Sequence, residues 1–572
     1  WHMRHTLFLI FIFCLRTVSA QDTVKIEEYL NLRGEAIIAF DRPASLSLDQ
    51  LSAYVSIDAV EGKEITAYVN RKQYERFLSL GIPFRVLVPP SLSFVPDTHL
   101  KSIRETNWDH YPSYAEYLQR MQSFASGSPF ISRLDTIGYT VKGKLLLALK
   151  ISDSVNIEES EPRVFLTSSI HGDELTGCML MLHLIDSLLT GYSTSPHIKR
   201  LIDNLEIYIN PLANPDGTFK ISDTTVYGAT RFNANAIDLN RNFPDPAAGE
   251  HPDGNQWQME TQSMMRYMQG KHFALSANFH GGAEVVNYPW DTWYERHPDD
   301  IWFHQISLRY ADSAHRYGSP GYFTSPYVSG VTNGYDWYRI TGGRQDYVTW
   351  FLRGREVTIE VSTIKIPDIS LIPVYWNSNF RSLLGYLEEA LRGIQGFVFD
   401  SLTGKPLRAL LSIPGHDAAS ANSAVESDSL SGYFVRLLPP GEYTFRAEAA
   451  GYKERLFNVA IPPDSMVRIS VFMVPYSADS SGNPDQSGPC FAIVQNPVAE
   501  DLKIQFFMQS AGSLRIRIFD VQGNIRFEIP SVRPAREDQL IINLRGLEPG
   551  VYLITASDRK GKCSKKFIKM AQ

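Results

Sequence analysis

Cysteine is scarce. The chain has four, and only Cys178, Cys490 and Cys563 lie beyond residue 20. No pair has the Cys-x-x-Cys spacing of a zinc knuckle or a redox motif, and so few thiols cannot staple a disulfide scaffold. Any metal therefore falls to histidine and carboxylate side chains. Basic charge is also short: 55 Lys+Arg against 62 Asp+Glu leave a net charge of −7. That balance argues against nucleic acid as the main partner. Long apolar runs are missing too. Leu175 to Leu189 is broken by His183 and Asp186 and reads as a buried amphipathic helix, so no membrane span is expected. The shorter run Leu7 to Leu15 follows Met3-Arg4 and precedes the small residues Val18-Ser19-Ala20. This is the pattern of a secretory signal peptide over residues 1–20. The oxidising compartment that it implies permits a Cys490–Cys563 bridge, while Cys178, inside the apolar helix, stays buried and reduced.

What is present is a core-forming composition, 44% hydrophobic and 20% charged, in a chain long enough for roughly three to four domains. Residues 21–100 read as a small α+β region, with a strand at Glu35 to Phe40, helical spacing from Val69 to Leu80 and a strand at Phe84 to Val88. Pro89-Pro90 opens a polar linker in which Arg104 is a candidate processing point. Residues 105–392 alternate helical patterns with β-rich runs at 163–167, 205–209, 274–279 and 356–361. That alternation predicts an α/β domain with a largely parallel sheet covered on both faces. Residues 393–475 carry short strands punctuated by Gly and Pro and read as a β-sandwich. Residues 476–489 are a linker rich in Ser, Asp, Gly and Pro. Residues 490–572 return to alternating strands and end in a basic run of Arg559, Lys560, Lys562, Lys565, Lys566 and Lys569, on its own a solvated face.

The chemistry concentrates in the middle domain. His171-Gly172-Asp173-Glu174 follows a predicted strand, and a His and a Glu three apart can share one zinc if a third ligand arrives from elsewhere. Alone, that spacing is weak in a chain with 14 histidines. Further groups follow in order: Asn214-Pro215-Asp216-Gly217, Arg231, Asp238-Leu239-Asn240-Arg241-Asn242-Phe243-Pro244, His280-Gly281-Gly282 and Glu356-Val357-Thr358-Ile359-Glu360. All fall at or just beyond strand ends, where open α/β sheets place their sites.

Over residues 105–392 this series resembles the zinc metallocarboxypeptidases, most of all the regulatory subfamily of carboxypeptidases D, E, M and N. The resemblance implies a mixed, largely parallel eight-stranded sheet and one Zn2+ held by His171, Glu174 and His280. Asp238 would orient the first imidazole. Glu360 would act as general base and then acid, and Arg231 would meet the oxyanion. Glu356, on the same face of the strand, is the decoy. Asn240, Arg241 and Tyr338 would hold the substrate's terminal carboxylate, a group that only a chain end presents. Asp291 and Gln345 match the polar pocket that pairs with a C-terminal Lys or Arg. Arg344 departs from the family's apolar residue, and a cation lining that pocket would oppose a basic substrate.

Residues 393–475 resemble the transthyretin-like domain that follows the catalytic unit in this subfamily. Residues 490–572 resemble a type A sorting domain of the type IX secretion system, through Asn496-Pro497, Ile518 to Gly523, Leu547 to Tyr552 and the Lys-rich end. Residues 21–100 stand where zymogen prodomains occur. Together these imply a secreted zinc exopeptidase acting on peptide and protein C-termini, exported to the cell surface or beyond by the type IX machinery. The rival readings are an inactive carboxypeptidase-like adhesin or peptide-binding protein, and a zinc amidase acting on cell-wall peptides or N-acyl amino acids.

Overall fold

A computed structural model describes residues 20–93, 108–476 and, with short gaps, 491–570. The expected signal peptide, Arg104 and Cys490 lie outside the described residues, as do Asn496-Pro497 and the end of the 518–523 stretch. Cys178 is buried and free. Compact units divide the chain near Leu391, with residues 419–423 counted in the first unit.

The first unit opens with helix Ala20–Arg33 and a four-stranded antiparallel sheet of β1 (Ala36–Asp41), β2 (Ser56–Glu61), β3 (Glu64–Val69) and β4 (Arg85–Leu87), in the order β2-β3-β1-β4. Helix Arg71–Leu78 begins where the Asn70 side chain accepts from Gln73 N and Gln73 reaches back to the Asn70 backbone, a reciprocal cap that satisfies two orphan donors. Ile26, Ile38, Phe40, Leu51, Ile65 and Phe77 give this sheet a core of its own.

The remainder of the unit is built on eight strands: β5 (Ser132–Tyr139), β6 (Leu145–Ile151), β7 (Arg163–Ser168), β8 (Glu206–Asn210), β9 (Leu275–His280), β10 (Glu284–Tyr288), β11 (Val331–Asn333) and β12 (Arg355–Val361). Their order is β11-β10-β12-β9-β7-β8-β6-β5. The sheet is mixed. Its central strands β12, β9, β7 and β8 run parallel, while β6 pairs antiparallel with β5 and β8, and β10 antiparallel with β12. Every residue of β8 and β9 is buried, as parallel strands covered on both faces must be. Helix Ile372–Glu389 packs on both Thr176–Gly191 and Asp300–Tyr317, and helices Tyr114–Gly127 and Met259–Lys271 pack on β5. Because the four central strands are parallel, the residues that follow β7, β8, β9 and β12 gather at one edge of the sheet.

The second unit holds two pairs of sheets. Over 393–473, a three-stranded and a four-stranded sheet share a core built on Ile394, Leu411, Phe434 and Phe445. Over 491–569, another three-stranded and four-stranded pair encloses Leu502, Ile516, Ile554 and Phe567. Among the described residues no helix is long and apolar enough to cross a membrane.

Candidate active site

The turn after β7 is forced into shape by its neighbours. Ser169 takes a positive φ of 55° and its Oγ donates to Glu174 O at 2.7 Å. Gly172 packs on the backbone of Gly217 and Thr218 so closely that a Cβ would stand 2.5 Å away. The Asn214 side chain donates to Ile170 O and Arg231 O and accepts from Gly217 N. The Asn-Pro-Asp-Gly run is thus a clasp that ties the His171 turn to the Arg231 loop.

Three donors converge inside this frame. His171 Nδ1 lies 2.9 Å from Glu174 Oε1, His280 Nδ1 lies 2.9 Å from Glu174 Oε2, and the two Nδ1 atoms are 3.1 Å apart. All three residues are buried. Donors at 2.0–2.1 Å on a tetrahedral zinc stand about 3.3 Å from one another, so the set fits that metal. The imidazoles are held from behind. His171 Nε2 meets Asp238 Oδ1 at 3.2 Å, and His280 Nε2 meets the Asn278 amide at 2.8 Å, the outer contacts that orient a metal ligand. Burial pushes the His280 imidazole down to about 4, which keeps it neutral as a ligand must be. Burial alone would raise Glu174, but His171, Lys365 and His280 outweigh it and hold the carboxyl well below the usual range.

Arg231 spans the site, with Nε on Asp238 Oδ2 at 3.1 Å and Nη1 3.4 Å from Glu174 Oε1. Glu360 is half-buried near the end of β12, and its Oε2 is buried with no hydrogen-bond partner among the described residues. Burial, and then the Glu174 charge, push its carboxyl well above the usual carboxylate range. Asp291 accepts from Asn287 Nδ2 at 3.1 Å and Gln345 Nε2 at 3.0 Å, and burial pushes it up to about 6. Its backbone N–H and that of Thr292 donate to the Asp346 carboxylate, which fixes its direction. Gly334 stands so near that a side chain there would overlap Asp291 Oδ1.

His171, Glu174, Arg231, Asn240, Arg241, His280, Asp291, Tyr338 and Glu360 line one cavity of about 50 Å³. Asp238 stands behind His171 and Gln345 behind Asp291, each one contact removed. Asn240 accepts Arg344 N through Oδ1, and Arg241 donates to Asn240 O. Arg344 itself requires a correction. It does not line the cavity; it is fully buried, with Nη2 2.8 Å from Glu356 Oε2, Nη1 on Thr167 Oγ1 and the guanidinium over the Phe165 ring. Glu356, which also accepts from Ser276 Oγ, neutralises it beneath the pocket, so its charge does not face a substrate. Sequence reading missed Lys365, whose Nζ is 3.1 Å from Glu174 Oε1, and Asp58, 2.6 Å from that same Nζ.

Residues 117–382 match the family profile described as zinc carboxypeptidase, and residues 495–570 match that of a secretion system C-terminal sorting domain. Mouse carboxypeptidase D is 34% identical over 414 residues, which cover 70% of this chain but only 29% of that protein. Mouse carboxypeptidase M is 33% identical, and the match covers 60% of this chain and 79% of the relative. The crystal structure of carboxypeptidase A from Helicoverpa armigera superposes at a TM-score of 0.50 with 20% identity, covering 63% of this chain and 98% of that one; this likeness is one of fold. On these grounds the chain belongs to the zinc carboxypeptidase family and ends in a type IX secretion sorting domain.

Proposed function

We propose that the chain is a secreted zinc exopeptidase that hydrolyses the last peptide bond of peptides and proteins and releases C-terminal Lys or Arg. The observation that carries this reading is the convergence of the His171, Glu174 and His280 donor atoms in one cavity with the unpartnered carboxylate of Glu360 and the buried carboxylate of Asp291.

Zinc held by His171, Glu174 and His280 supplies Lewis acidity, polarising a carbonyl and acidifying water. The rest falls to the chain's own groups. Arg241, Asn240 and Tyr338 grip the terminal carboxylate, so an internal peptide leaves a guanidinium unpaired. Arg231 meets the oxygen on which negative charge develops, fixed in place by Asp238. Glu360 takes the proton from the attacking water and returns it to the departing amine; its raised pKa suits it to both steps. Asp291 selects a basic side chain, because a desolvated carboxylate left unpaired is costly, and Arg344, paired with Glu356, does not oppose it.

Export rests on the sorting domain together with the signal-peptide pattern, and residues 393–475, read as a transthyretin-like domain, serve folding or docking. Deleting 490–572 is expected to strand the protein in the periplasm, and normal export would refute that address. The catalytic reading is tested by amino-acid release from matched peptides ending in Arg, Lys, Phe or Glu, on the chain intact and cut between residues 94 and 107. Release of Arg and Lys that a chelator stops and zinc restores is the expected result. Phe released as fast as Arg defeats the basic preference, and no release from any form favours a peptide-binding protein.

A further inference from the structure

Beside the metal cavity lies a larger one of about 500 Å³, inside the range of roughly 300–1,000 Å³ that ligand pockets occupy. Strand β2 contributes to both: Ile57 and Asp58 line the metal cavity, and Ser56 lines the larger one. The pairing of β2 with β3 shifts register between Ile57 and Ala59, and the bulge at Asp58 takes that side chain out of the strand's alternation. One wall of the larger cavity is helix Arg71–Leu78, where Lys72 and Arg76 stand four residues apart on one face. The opposite wall is Arg241, the loop 248–255 and Arg339. Both walls are held in place. Asn70 Nδ2 donates to Ala236 O at 2.9 Å and pins the start of the helix. The loop is folded around the Asp253 carboxylate, which accepts from Asn242 Nδ2, Asn255 N and Asn255 Nδ2.

The lining carries more positive charge than it can neutralise. Four cations face the cavity: Lys72, Arg76, Arg241 and Arg339. Among the described residues none of them forms an ion pair. Arg241 Nη1 donates to Asn240 O, Arg339 Nε donates to Thr292 O at 2.9 Å, and Arg76 lies over the Tyr54 ring. Three carboxylates share the lining, Asp49, Asp238 and Asp253, but Asp238 is already spent on Arg231 and His171. A cleft with an excess of one sign focuses its field on a ligand of the other. Guanidinium groups grip a carboxylate or a phosphate through two parallel hydrogen bonds. Ser56, Asn255 and Thr341 add hydroxyl and amide groups. Among the described residues no aromatic ring lines the cavity, so a flat base would have nothing to stack on. The lining suits an anion that carries hydroxyls.

Arg241 lines both cavities. It is the group to which the proposed function gives the substrate's terminal carboxylate, so an anion in the larger cavity draws on the same guanidinium.

We propose that the crevice between helix Arg71–Leu78 and the loop 248–255 binds a polyhydroxylated anion, a sugar phosphate or a short uronic-acid saccharide, and that this occupant competes with a peptide's terminal carboxylate for Arg241. The competition rests on the peptidase reading given above; the anion site does not.

The test is calorimetry on the full zinc-loaded chain, with glucose 6-phosphate, digalacturonate, inorganic phosphate and glucose as probes. One equivalent of glucose 6-phosphate or of digalacturonate is expected to bind, and whichever binds identifies the source of the negative charge. Glucose is expected not to bind. The double variant Arg76→Gln, Arg339→Gln is expected to weaken the binding at least about tenfold, the worth of one charge-assisted hydrogen bond. Arg76→Gln alone, at an exposed position, serves the same comparison if the double variant does not fold. Three results overturn the site: no binding of either hydroxylated anion, equal affinity in the variants, or inorganic phosphate bound as tightly, which would make it an adventitious ion only. Release of Arg from a peptide ending in Arg is followed in parallel. The bound anion is expected to raise KM and leave kcat unchanged, and Arg76→Gln is expected to lose that inhibition while keeping its uninhibited rate. Release that a bound anion does not slow overturns the competition for Arg241. Anion binding without any release of Arg removes the peptidase reading and leaves the site.

Discussion

His171 Nδ1 and His280 Nδ1 face each other across 3.1 Å, although 109 residues separate them. Their strands explain the meeting. β7 and β9 are parallel neighbours, with Ser168 opposite Phe279, so the turn that follows one strand reaches the last residue of the other. Glu360 pairs directly with His280 across β9 and β12, which places the proposed acid–base carboxylate one strand from a proposed ligand.

Replacing Glu360 by Gln is expected to lower kcat by about 10²- to 10⁴-fold, the usual worth of a positioned acid–base group. Zinc content and the affinity for an uncleavable peptide should be unchanged, because Glu360 is not one of the three donors. Steady-state kinetics beside metal analysis checks this, and loss of zinc in the variant would instead make Glu360 a ligand.

The basic preference is expected to depend on pH. Asp291 is pushed up to about 6 by burial, so it is ionised above that pH and neutral below it. The ratio of kcat/KM for peptides ending in Arg and in Phe should therefore fall as the pH drops from neutrality through 6. Asp291→Asn should show the low ratio at every pH. Gly334→Ala, which crowds Asp291 Oδ1, should cost Arg-ending peptides more than Phe-ending ones.

Arg344 and Glu356 form a fully buried pair. Breaking one side leaves an uncompensated buried charge, so Arg344→Met alone should destabilise the chain by about 3–5 kcal/mol. Adding Glu356→Met removes the stranded carboxylate and should restore most of the loss. Urea unfolding of the three chains checks this, and an unchanged preference for Arg over Phe would confirm that the pair lies beneath the pocket and not in it.

Much of the site was legible because its residues cluster at strand ends. The His-x-x-Glu turn, the Asp238 to Arg241 run and the His280 strand end are local signals, and each strand-like run around them lies in a strand of the sheet. The function of the Asn214 motif was not legible, since its side-chain bonds reach back to residue 170 and forward to residue 231. Arg344 was misjudged for a related reason: its neutralising partner Glu356 arrives on another element. Asp58 gave no signal at all. In Ser-Ile-Asp-Ala-Val-Glu the aspartate looks like the solvent-facing member of an alternating strand, and only the bulge turns it toward Lys365. Bulges follow from pairing with a partner strand, which a single segment does not encode.

The account depends on one metal centre, and zinc stoichiometry tests it most directly. Full-length protein loaded with zinc, freed of excess metal and measured by atomic emission should carry one zinc per chain and lose its peptidase activity as a chelator removes that zinc. The His280→Ala chain, prepared in the same way, should retain far less. Protein that carries no zinc, or a variant that holds as much as the unaltered chain, would contradict the assignment of His171, Glu174 and His280 as its ligands.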